Sequence, residues 1–360
     1  MTVSIGGVEV GRDHQPFVIA EMSGNHNHSL ERAMALVDAA ADAGAHALKL
    51  QTYTADTITL DVKRDEFVID NPDSPWVGRS LHDLYSEAYT PWEWHDAIFK
   101  HASVRGLIAF SSPFDESAVD FLEGLDCPCY KIASFELTHI PLIRKCAQTG
   151  KPLILSTGMA TELEIAEAVG AARGAGADDI LLLKCTSTYP ASPSDSDIAT
   201  IPAMRERFGC EVGISDHTMG IGVSVAAVAF GAVAIEKHFT LRRADGGVDS
   251  AFSLESSELA SLVAESERAW QAIGTVRYGP TGKQKDSLRF RRSLYVACDM
   301  TAGDTFTVEN LRVVRPGLGL PPKYYDAILG RRALTDVARG TPVSWDLVDG
   351  GDIDTCNSRS

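Results

Sequence analysis

Eight short apolar runs, separated by stretches with helical periodicity, are the feature that most constrains how this 360-residue chain can fold. The runs are FVIAEMS (17–23), HALKLQT (46–52), LIAFSSP (107–113), CYKIAS (129–134), PLILSTG (152–158), DILLLKCT (179–186), EVGISDH (211–217) and AVAIEKH (232–238). Amphipathic stretches such as LERAMALVDAAADAG lie between them and end in the glycine expected just past a helix. This alternation predicts an α/β fold, a (β/α)8 TIM barrel.

An open, doubly wound sheet is the alternative fold for the same alternation. SGNHNHS follows the first run, where a dinucleotide-binding sheet would carry a glycine-rich phosphate loop, so we favour the barrel. The stretch Tyr53–Thr90 contains Pro72, Pro75 and Trp76 and does not resemble a crossover helix. We expect it to be an inserted loop over one mouth of the barrel.

The pattern changes near residue 275, which predicts a second domain. We expect a barrel domain over 1–274, opened by a hairpin that turns at Gly6-Gly7, then a linker over 275–287. Short strand signals and the two similar phrases MTAGDTFT and VARGTPVS indicate a compact β module over 288–350. Residues 351–360 are expected to form a frayed tail.

Charge and composition argue against several classes of binding partner and indicate where the protein works. A formal charge of -16 argues against a nucleic-acid or anionic-membrane surface, and no apolar run reaches membrane-spanning length. The amino terminus lacks a signal-peptide pattern, so we expect a cytoplasmic protein. Seven cysteines, an odd number, fit reduced thiols, and the pair Cys127-Pro-Cys129 is expected to be structural.

Two histidines mark the carboxyl ends of the last two runs, where reacting groups of such barrels sit. If these strands are neighbours, His217 and His238 lie on one rim, with Asp216 and Glu236 beside them. Two imidazoles there predict a site for a divalent cation. The alternative is that each histidine is only a hydrogen-bonded polar residue at a strand end.

Lysines and glutamates occur at the ends of the earlier runs. Lys49 and Lys131 lie in otherwise apolar strands, where a charged amine is costly unless an anion meets it. They form either salt bridges to Glu21 and Glu136 or a clamp for a phosphate or carboxylate. The two glutamates are correspondingly acid or base candidates or simple charge balance.

Several serines add hydroxyl donors to the same rim: Ser134, Ser156 and Ser215. None lies in a G-x-S-x-G turn, which argues against covalent hydrolase chemistry. A metal that polarises a carbonyl, combined with an anion clamp, indicates a lyase or synthase that forms a carbon-carbon bond between a carbonyl acceptor and an anionic donor.

The motifs FVIAEMSGNHNHSLERA, KLQTYTADT, YKIASFE, ILSTGM, CTSTYPAS, GISDHTMG, EKHFTL and RPGLGLPPKY resemble the sialic acid synthase family over nearly the whole chain. Within it, LHDLYSEAYTPWEWH, KHFTLRRADGGVDSAFSLE and FRRSLYV are most similar to the pseudaminic acid synthases. The resemblance implies a transferase that condenses phosphoenolpyruvate with 2,4-diacetamido-2,4,6-trideoxy-L-altrose to the nonulosonic acid and phosphate. It also implies Mn2+ or Mg2+, and a β-clip, antifreeze-like (SAF) module in a domain-swapped homodimer.

The resemblance assigns roles to residues of this chain. His217 and His238 match metal ligands, and Glu21 and Glu136 match carboxylates that transfer protons or activate water. The positions that match donor contacts are Lys49, Lys131, Ser112, Ser134, Ser156, Ser187 and Ser215. Those that match sugar-facing positions are Gln51, Tyr189 and Asp249, and Arg315 matches an arginine that reaches the partner subunit's site.

Two departures from the sialic acid synthases bear on the substrate. Ser112 and Ser187 replace threonine and asparagine beside the phosphate, and Asn25-His26-Asn27-His28 replaces NHEG, which favours a different sugar. The alternatives are a synthase that uses N-acetylmannosamine or a legionaminic acid precursor, and a carbohydrate-binding protein with an inactive barrel.

Overall fold

The computed structural model describes residues 1–62, 64–72, 74 and 76–351. The chain divides into two compact units, Met1–Gly274 and Thr275–Ser360. Of the tail expected over 351–360, all but Gly351 lies outside the described residues, and so do Cys356 and Pro75.

Eight parallel strands close into a barrel in the first unit, which confirms the predicted fold. After a hairpin of β1 (Val3–Ile5) and β2 (Val8–Val10), the barrel strands are β3 (Phe17–Glu21), β4 (Ala47–Thr52), β5 (Ile108–Pro113), β6 (Tyr130–Ile132), β7 (Leu153–Ser156), β8 (Ile180–Cys185), β9 (Glu211–Ser215) and β10 (Ala234–His238). Consecutive strands pair, and β10 closes onto β3 with His238 opposite Glu21. Each strand is shorter than its apolar run, and in β3, β6, β7, β8 and β9 the last residues of the run lie beyond the strand, on the rim.

The hairpin turns at Gly6-Gly7, as predicted. Their φ values of 55° and 84° are left-handed, a conformation that glycine adopts without steric cost. A Cβ on Gly6 would lie 2.9 Å from Cγ2 of Ile108, at the amino end of β5. The hairpin therefore packs at the end of the barrel opposite the rim.

Helices follow the strands and cover the barrel: α1 (Leu30–Asp42), α4 (His95–Val104), α5 (Glu116–Glu123), α6 (Ile140–Ala147), α7 (Glu162–Gly174), α8 (Thr200–Phe208), α9 (Gly222–Ala229) and α10 (Ser256–Ile273). Their starts have local causes. Ser29 accepts a hydrogen bond from the Arg32 amide, and Thr161 forms a reciprocal capping box with Glu164. The apolar faces pack on the strands and form one core.

The inserted segment Tyr53–Thr90 differs from the expected loop because it contains two helices, α2 (Ala55–Ile58) and α3 (Leu81–Ala88). Thr54 and Ser80 cap these helices through their side chains. The segment crosses the rim as expected, since Trp76 Nε1 donates to the carbonyl of Val248, which follows β10, at 2.9 Å.

The second unit contains the antiparallel pair β11 (Ser293–Val296) and β12 (Leu311–Val314), with the short helix α11 (Tyr325–Ile328). Met300 and Val337, the first residues of the two similar phrases, exchange backbone hydrogen bonds of 2.9 and 2.8 Å. Leu294, Phe306 and Val343 are fully buried in a core of its own. In neither unit does the described chain contain a helix long and apolar enough to span a bilayer.

Candidate active site at the carboxyl rim of the barrel

Four buried charged side chains form a layer across the barrel interior: Glu21, Lys49, Lys131 and Glu236. Lys49 Nζ lies 2.5 Å from Glu21 Oε2 and 3.7 Å from Glu236 Oε2. Lys131 Nζ lies 3.2 Å from Glu236 Oε1. Since β6 and β10 occupy opposite sides of the closed barrel, the Lys131 to Glu236 pair crosses its interior. This charge layer has two amines and two carboxylates that compensate each other.

Burial and pairing compete in setting the protonation of the charge layer. Burial alone would raise the pKa of Glu236, but the neighbouring Lys131 and Lys49 outweigh it and lower that pKa to about 2. Burial raises the pKa of Glu21 and lowers that of Lys131. For Lys49, attraction to Glu21 and Glu236 outweighs burial and raises the pKa. Glu236 is thus the carboxylate most firmly held in its charged form.

Glu136 stands apart from the charge layer, so the alternative in which Lys131 forms a salt bridge with this residue is wrong. It lies in the 3-10 turn Ser134–Glu136 after β6, and its Oε2 is buried with no hydrogen-bond partner among the described residues. Burial raises the pKa of Glu136 to about 7. A carboxyl group with this pKa can take up or release a proton near neutral pH.

The two histidines lie side by side, with ring centroids 5.3 Å apart, because β9 and β10 are neighbouring strands. His217 Nδ1 is 2.8 Å from the carbonyl of Thr186, so it carries the proton and leaves Nε2 with a lone pair. His238 Nδ1 is buried without a hydrogen bond in the described part of the chain. Burial lowers the pKa of His238 well below its usual value, which keeps this ring neutral.

Two adjacent imidazoles on one rim can offer nitrogen ligands to a divalent cation, but Asp216 does not complete the set as expected. Its oxygens are used by Lys237 at 3.1 Å, Ser224 at 2.6 Å and Thr218. Within the described residues no three His, Cys, Asp or Glu side chains are arranged to hold a metal ion. A cation bound here would have to complete its coordination with water or substrate oxygens.

Hydroxyl groups and one glycine line the side of the site near the lysines. Lys49 Nζ donates to Ser112 Oγ at 3.3 Å, and Ser215 Oγ donates to Glu236 Oε1 at 3.0 Å. Ser156 Oγ is buried without a partner among the described residues. Gly158 donates its backbone N–H to Ser134 Oγ at 3.2 Å, and a Cβ there would strike both Ser187 and Ser134. Backbone and hydroxyl groups therefore converge at Gly158, as in anion-binding cradles.

The three residues expected to face a sugar lie on the histidine side of the charge layer. The Tyr189 ring is 4.4 Å from the His217 ring and 5.9 Å from that of Trp76 in the inserted segment. Asp249 Oδ2 lies 3.8 Å from His238 Nδ1. Gln51 Nε2 donates to Glu21 Oε1 at 3.0 Å, which connects this side to the lysines.

Comparison with known proteins places this arrangement in a family. The NeuB family model matches residues 36–278, and the SAF domain model matches residues 291–349. The chain belongs to the NeuB family. It is 42% identical to the pseudaminic acid synthase of Campylobacter jejuni subsp. jejuni serotype O:2, over 91% of this chain and 95% of that one. It is 40% identical to the pseudaminic acid synthase of Helicobacter pylori, over 93% and 98% of the two chains.

Solved structures agree with the family assignment. The N-acetylneuraminic acid synthetase of Leptospira borgpetersenii serovar Hardjo-bovis, crystallised with citrate, superposes with a TM-score of 0.70 at 29% identity. The match covers 81% of this chain and 96% of that one. The barrel is thus that of a NeuB-family protein.

Arg315 belongs to the SAF unit and directly follows β12, where its side chain is exposed. Within the described residues it forms no ion pair. Its predicted role in a partner's site remains a prediction.

Sequence reasoning missed three contributors to this site. Glu236 was expected beside a metal, yet it pairs with both lysines. Gly158 was only part of the motif ILSTGM, although its missing side chain leaves room for two hydroxyls. Ser23 was unassigned, although its hydroxyl bonds Asp249 and Gln51. Strand-end position was the available signal for Glu236, whereas the contacts of Ser23 arise only from tertiary structure.

Proposed function

We propose that this NeuB-family protein is a pseudaminic acid synthase, which condenses phosphoenolpyruvate with 2,4-diacetamido-2,4,6-trideoxy-L-altrose and water to give pseudaminic acid and phosphate. The observation that carries the proposal is that a buried lysine pair and two adjacent imidazoles lie on one rim. An anionic donor and a carbonyl acceptor need these two environments next to each other. The identity to two pseudaminic acid synthases supports this sugar over its relatives.

The donor end of the site would be the side with Lys49 and Lys131. Phosphoenolpyruvate carries both a phosphate and a carboxylate, and the two buried amines can compensate these charges. The hydroxyls of Ser134 and Ser187 around Gly158 fit a phosphate, since a Cβ at Gly158 would fill the space they share. Ser112, Ser156 and Ser215 supply further donors once substrate replaces their present contacts.

We further propose that His217 and His238 hold a divalent cation, Mn2+ or Mg2+. When bound there, the cation would polarise the aldehyde oxygen of the open-chain sugar. Asp249 and Gln51, beside His238 and Glu21, would orient the sugar so that its aldehyde carbon faces the donor. Tyr189 and Trp76 would cover the sugar with an apolar wall and limit access of bulk water.

The condensation balances with the residues in place. The enol C3 of phosphoenolpyruvate attacks the aldehyde carbon. The positive charge that develops at C2 of the donor is stabilised by the carboxylates of Glu21 and Glu236. Water adds to C2 and loses a proton to Glu136, whose pKa of about 7 suits a base at neutral pH. The tetrahedral intermediate then releases phosphate by C–O cleavage as its C2 hydroxyl becomes the keto group and gives its proton to the phosphate. The alkoxide formed from the aldehyde oxygen takes up the proton that Glu136 received, and the lysines stabilise the leaving charge.

The partner proposal concerns Arg315. We infer a homodimer in which Arg315 of one copy completes the rim of the other. The barrel loops after β6, β7 and β9 expose Phe135, Met159 and Met219 at 61%, 62% and 54%, an apolar surface suited to a second copy. Mixing equal amounts of Arg315→Ala and Lys131→Met chains should then restore roughly a quarter of wild-type turnover through hybrid dimers. No restoration after subunit exchange would contradict the exchange of Arg315.

The experiment that tests the function is substrate profiling. The purified chain is incubated with phosphoenolpyruvate and, separately, the L-altrose derivative, N-acetylmannosamine or a legionaminic acid precursor, with and without a chelator. We expect phosphate release and the product mass of pseudaminic acid only with the first sugar and only without chelator. Lys131→Met should abolish turnover, whereas Lys151→Met, which breaks a pair with Glu123 at the other end of the barrel, should not.

Turnover restricted to N-acetylmannosamine would assign the chain to the neuraminic acid synthases instead. Sugar binding without any phosphate release would favour the carbohydrate-binding alternative. The free thiols of the described cysteines fit the proposed cytoplasmic location.

A further inference from the structure

Ser23 has a backbone conformation that its residue type does not favour. Its φ is 46°, in the left-handed region where side chains are strained and glycine is the usual residue. The residue is only 3% exposed and directly follows the β3 strand and Met22. A strained, buried residue in an active-site loop persists only when something else in the site requires it.

The hydroxyl of Ser23 supplies that requirement. It donates to Asp249 Oδ2 and accepts from Gln51 Nε2 at 3.1 Å. Only a group that both donates and accepts can satisfy a carboxylate on one side and an amide N–H on the other. Glycine would fit the backbone but would leave both partners without this bond.

Ser23 thereby joins two ends of the site. Gln51 continues from Ser23 to Glu21, and Glu21 continues to Lys49 in the charge layer. With Nε2 used by Ser23 and Glu21, Gln51 Oε1 makes no hydrogen bond within the described residues and is left to accept one from a ligand. Asp249 is held at the same time beside His238.

We propose that Ser23 is the positioning residue of the sugar end: its hydroxyl fixes Gln51 and Asp249 so that both accept hydrogen bonds from the acetamido sugar. The proposal rests on the proposed function and adds a residue on which sugar recognition depends. Because the donor lies at the lysine side, loss of the hydroxyl should affect the sugar and not phosphoenolpyruvate.

The test uses two variants that separate hydroxyl from backbone. Ser23→Gly removes the hydroxyl and also relieves the strain of the left-handed backbone. Ser23→Ala removes the hydroxyl but retains the backbone strain. Both should raise KM for the L-altrose derivative about tenfold, as expected for lost hydrogen bonds to a charged and a polar partner. KM for phosphoenolpyruvate should change less than about twofold. The control is Asp126→Gly, since Asp126 also has a left-handed φ of 53° but lies before β6, at the opposite end of the barrel.

A double-mutant cycle distinguishes positioning from a structural role. If Ser23 acts through Gln51 and Asp249, the Ser23→Ala change should raise the sugar KM clearly less in the Gln51→Ala background than in the wild type. Multiplied effects of the two changes would overturn the proposal. So would a Ser23→Gly enzyme with wild-type sugar KM, or equal increases in the KM values of both substrates. Should Ser23→Ala fail to fold, Ser23→Gly decides, because glycine suits the backbone.

Calorimetric binding of the sugar, measured beside phosphate release, separates this proposal from the proposed function. If the wild type binds the sugar but releases no phosphate, the synthase function is refuted. The ratio of the sugar dissociation constants of the Ser23 variants and the wild type then still tests the Ser23 proposal. If the wild type turns over and the variants bind sugar as tightly as it does, only the Ser23 proposal is overturned. If the wild type binds no sugar, both fail.

Discussion

Replacing Glu236 by glutamine should destabilise the barrel strongly, because Glu236 is a buried partner of two lysines. Glu236 carries one of two carboxylates that compensate the buried Lys49 and Lys131, and Lys131 lies only 3.2 Å away. At that separation, with an effective dielectric constant of about 20, the attraction is about 5 kcal/mol. Removing one partner of such a buried pair typically costs about 3–5 kcal/mol, because the remaining amine has no counter-charge.

Urea unfolding of the wild type and of Glu236→Gln measures that loss directly. The variant's extra positive charge also predicts that inorganic phosphate stabilises it more than it stabilises the wild type. Glu211→Gln is the matched control, because Glu211 is equally buried and pairs with Arg205 at 3.1 Å, but at the amino end of β9. The role given to the charge layer would be refuted if Glu236→Gln were as stable as the wild type. It would also be refuted if phosphate stabilised Glu236→Gln no more than it stabilises the wild type and Glu211→Gln.

Three further predictions concern single residues. Because burial raises the pKa of Glu136 to about 7 and a base must be deprotonated, turnover should fall as pH drops below about 7, and Glu136→Gln should lower the rate and remove this acid limb; a pH profile that Glu136→Gln leaves unchanged would exclude it as the base. His217→Ala should abolish chelator-sensitive turnover while the circular dichroism spectrum remains that of the wild type. Retained activity would contradict a cation site at the two histidines. Trp76→Phe keeps the ring near Tyr189 but loses the bond to Val248, so sugar KM should rise about fivefold, the loss of one ordinary hydrogen bond; an unchanged sugar KM would show that the inserted segment does not close over this substrate.

The barrel and its rim were predictable from sequence because strand periodicity and strand-end position are local properties. All eight apolar runs became strands, and the histidines became neighbours because their strands are consecutive. The inserted segment was less predictable. Its two helices begin at the capping residues Thr54 and Ser80. Pro72 and Pro75 in the same segment predicted a loop instead.

Partners across the barrel were not predictable. A salt bridge to Glu136, five residues away, was one of two alternatives for Lys131, whereas the structure pairs it with Glu236 on the opposite strand. Closure of the barrel decides this contact, and no local pattern reports it. Asp216 was expected beside the metal, but strand alternation turns it toward Lys237 and Ser224. The left-handed φ of Ser23 likewise has no sequence signature, since serine seldom adopts it.

Oxygen-18 labelling tests the central claim most directly. The protein is supplied with the L-altrose derivative and phosphoenolpyruvate labelled at the oxygen that bridges C2 and phosphorus, and both products are weighed by mass spectrometry. Attack of water at C2 followed by C–O cleavage predicts that the label leaves in inorganic phosphate and that the nine-carbon acid is unlabelled. A labelled acid, formed by P–O cleavage, would contradict the account of this site.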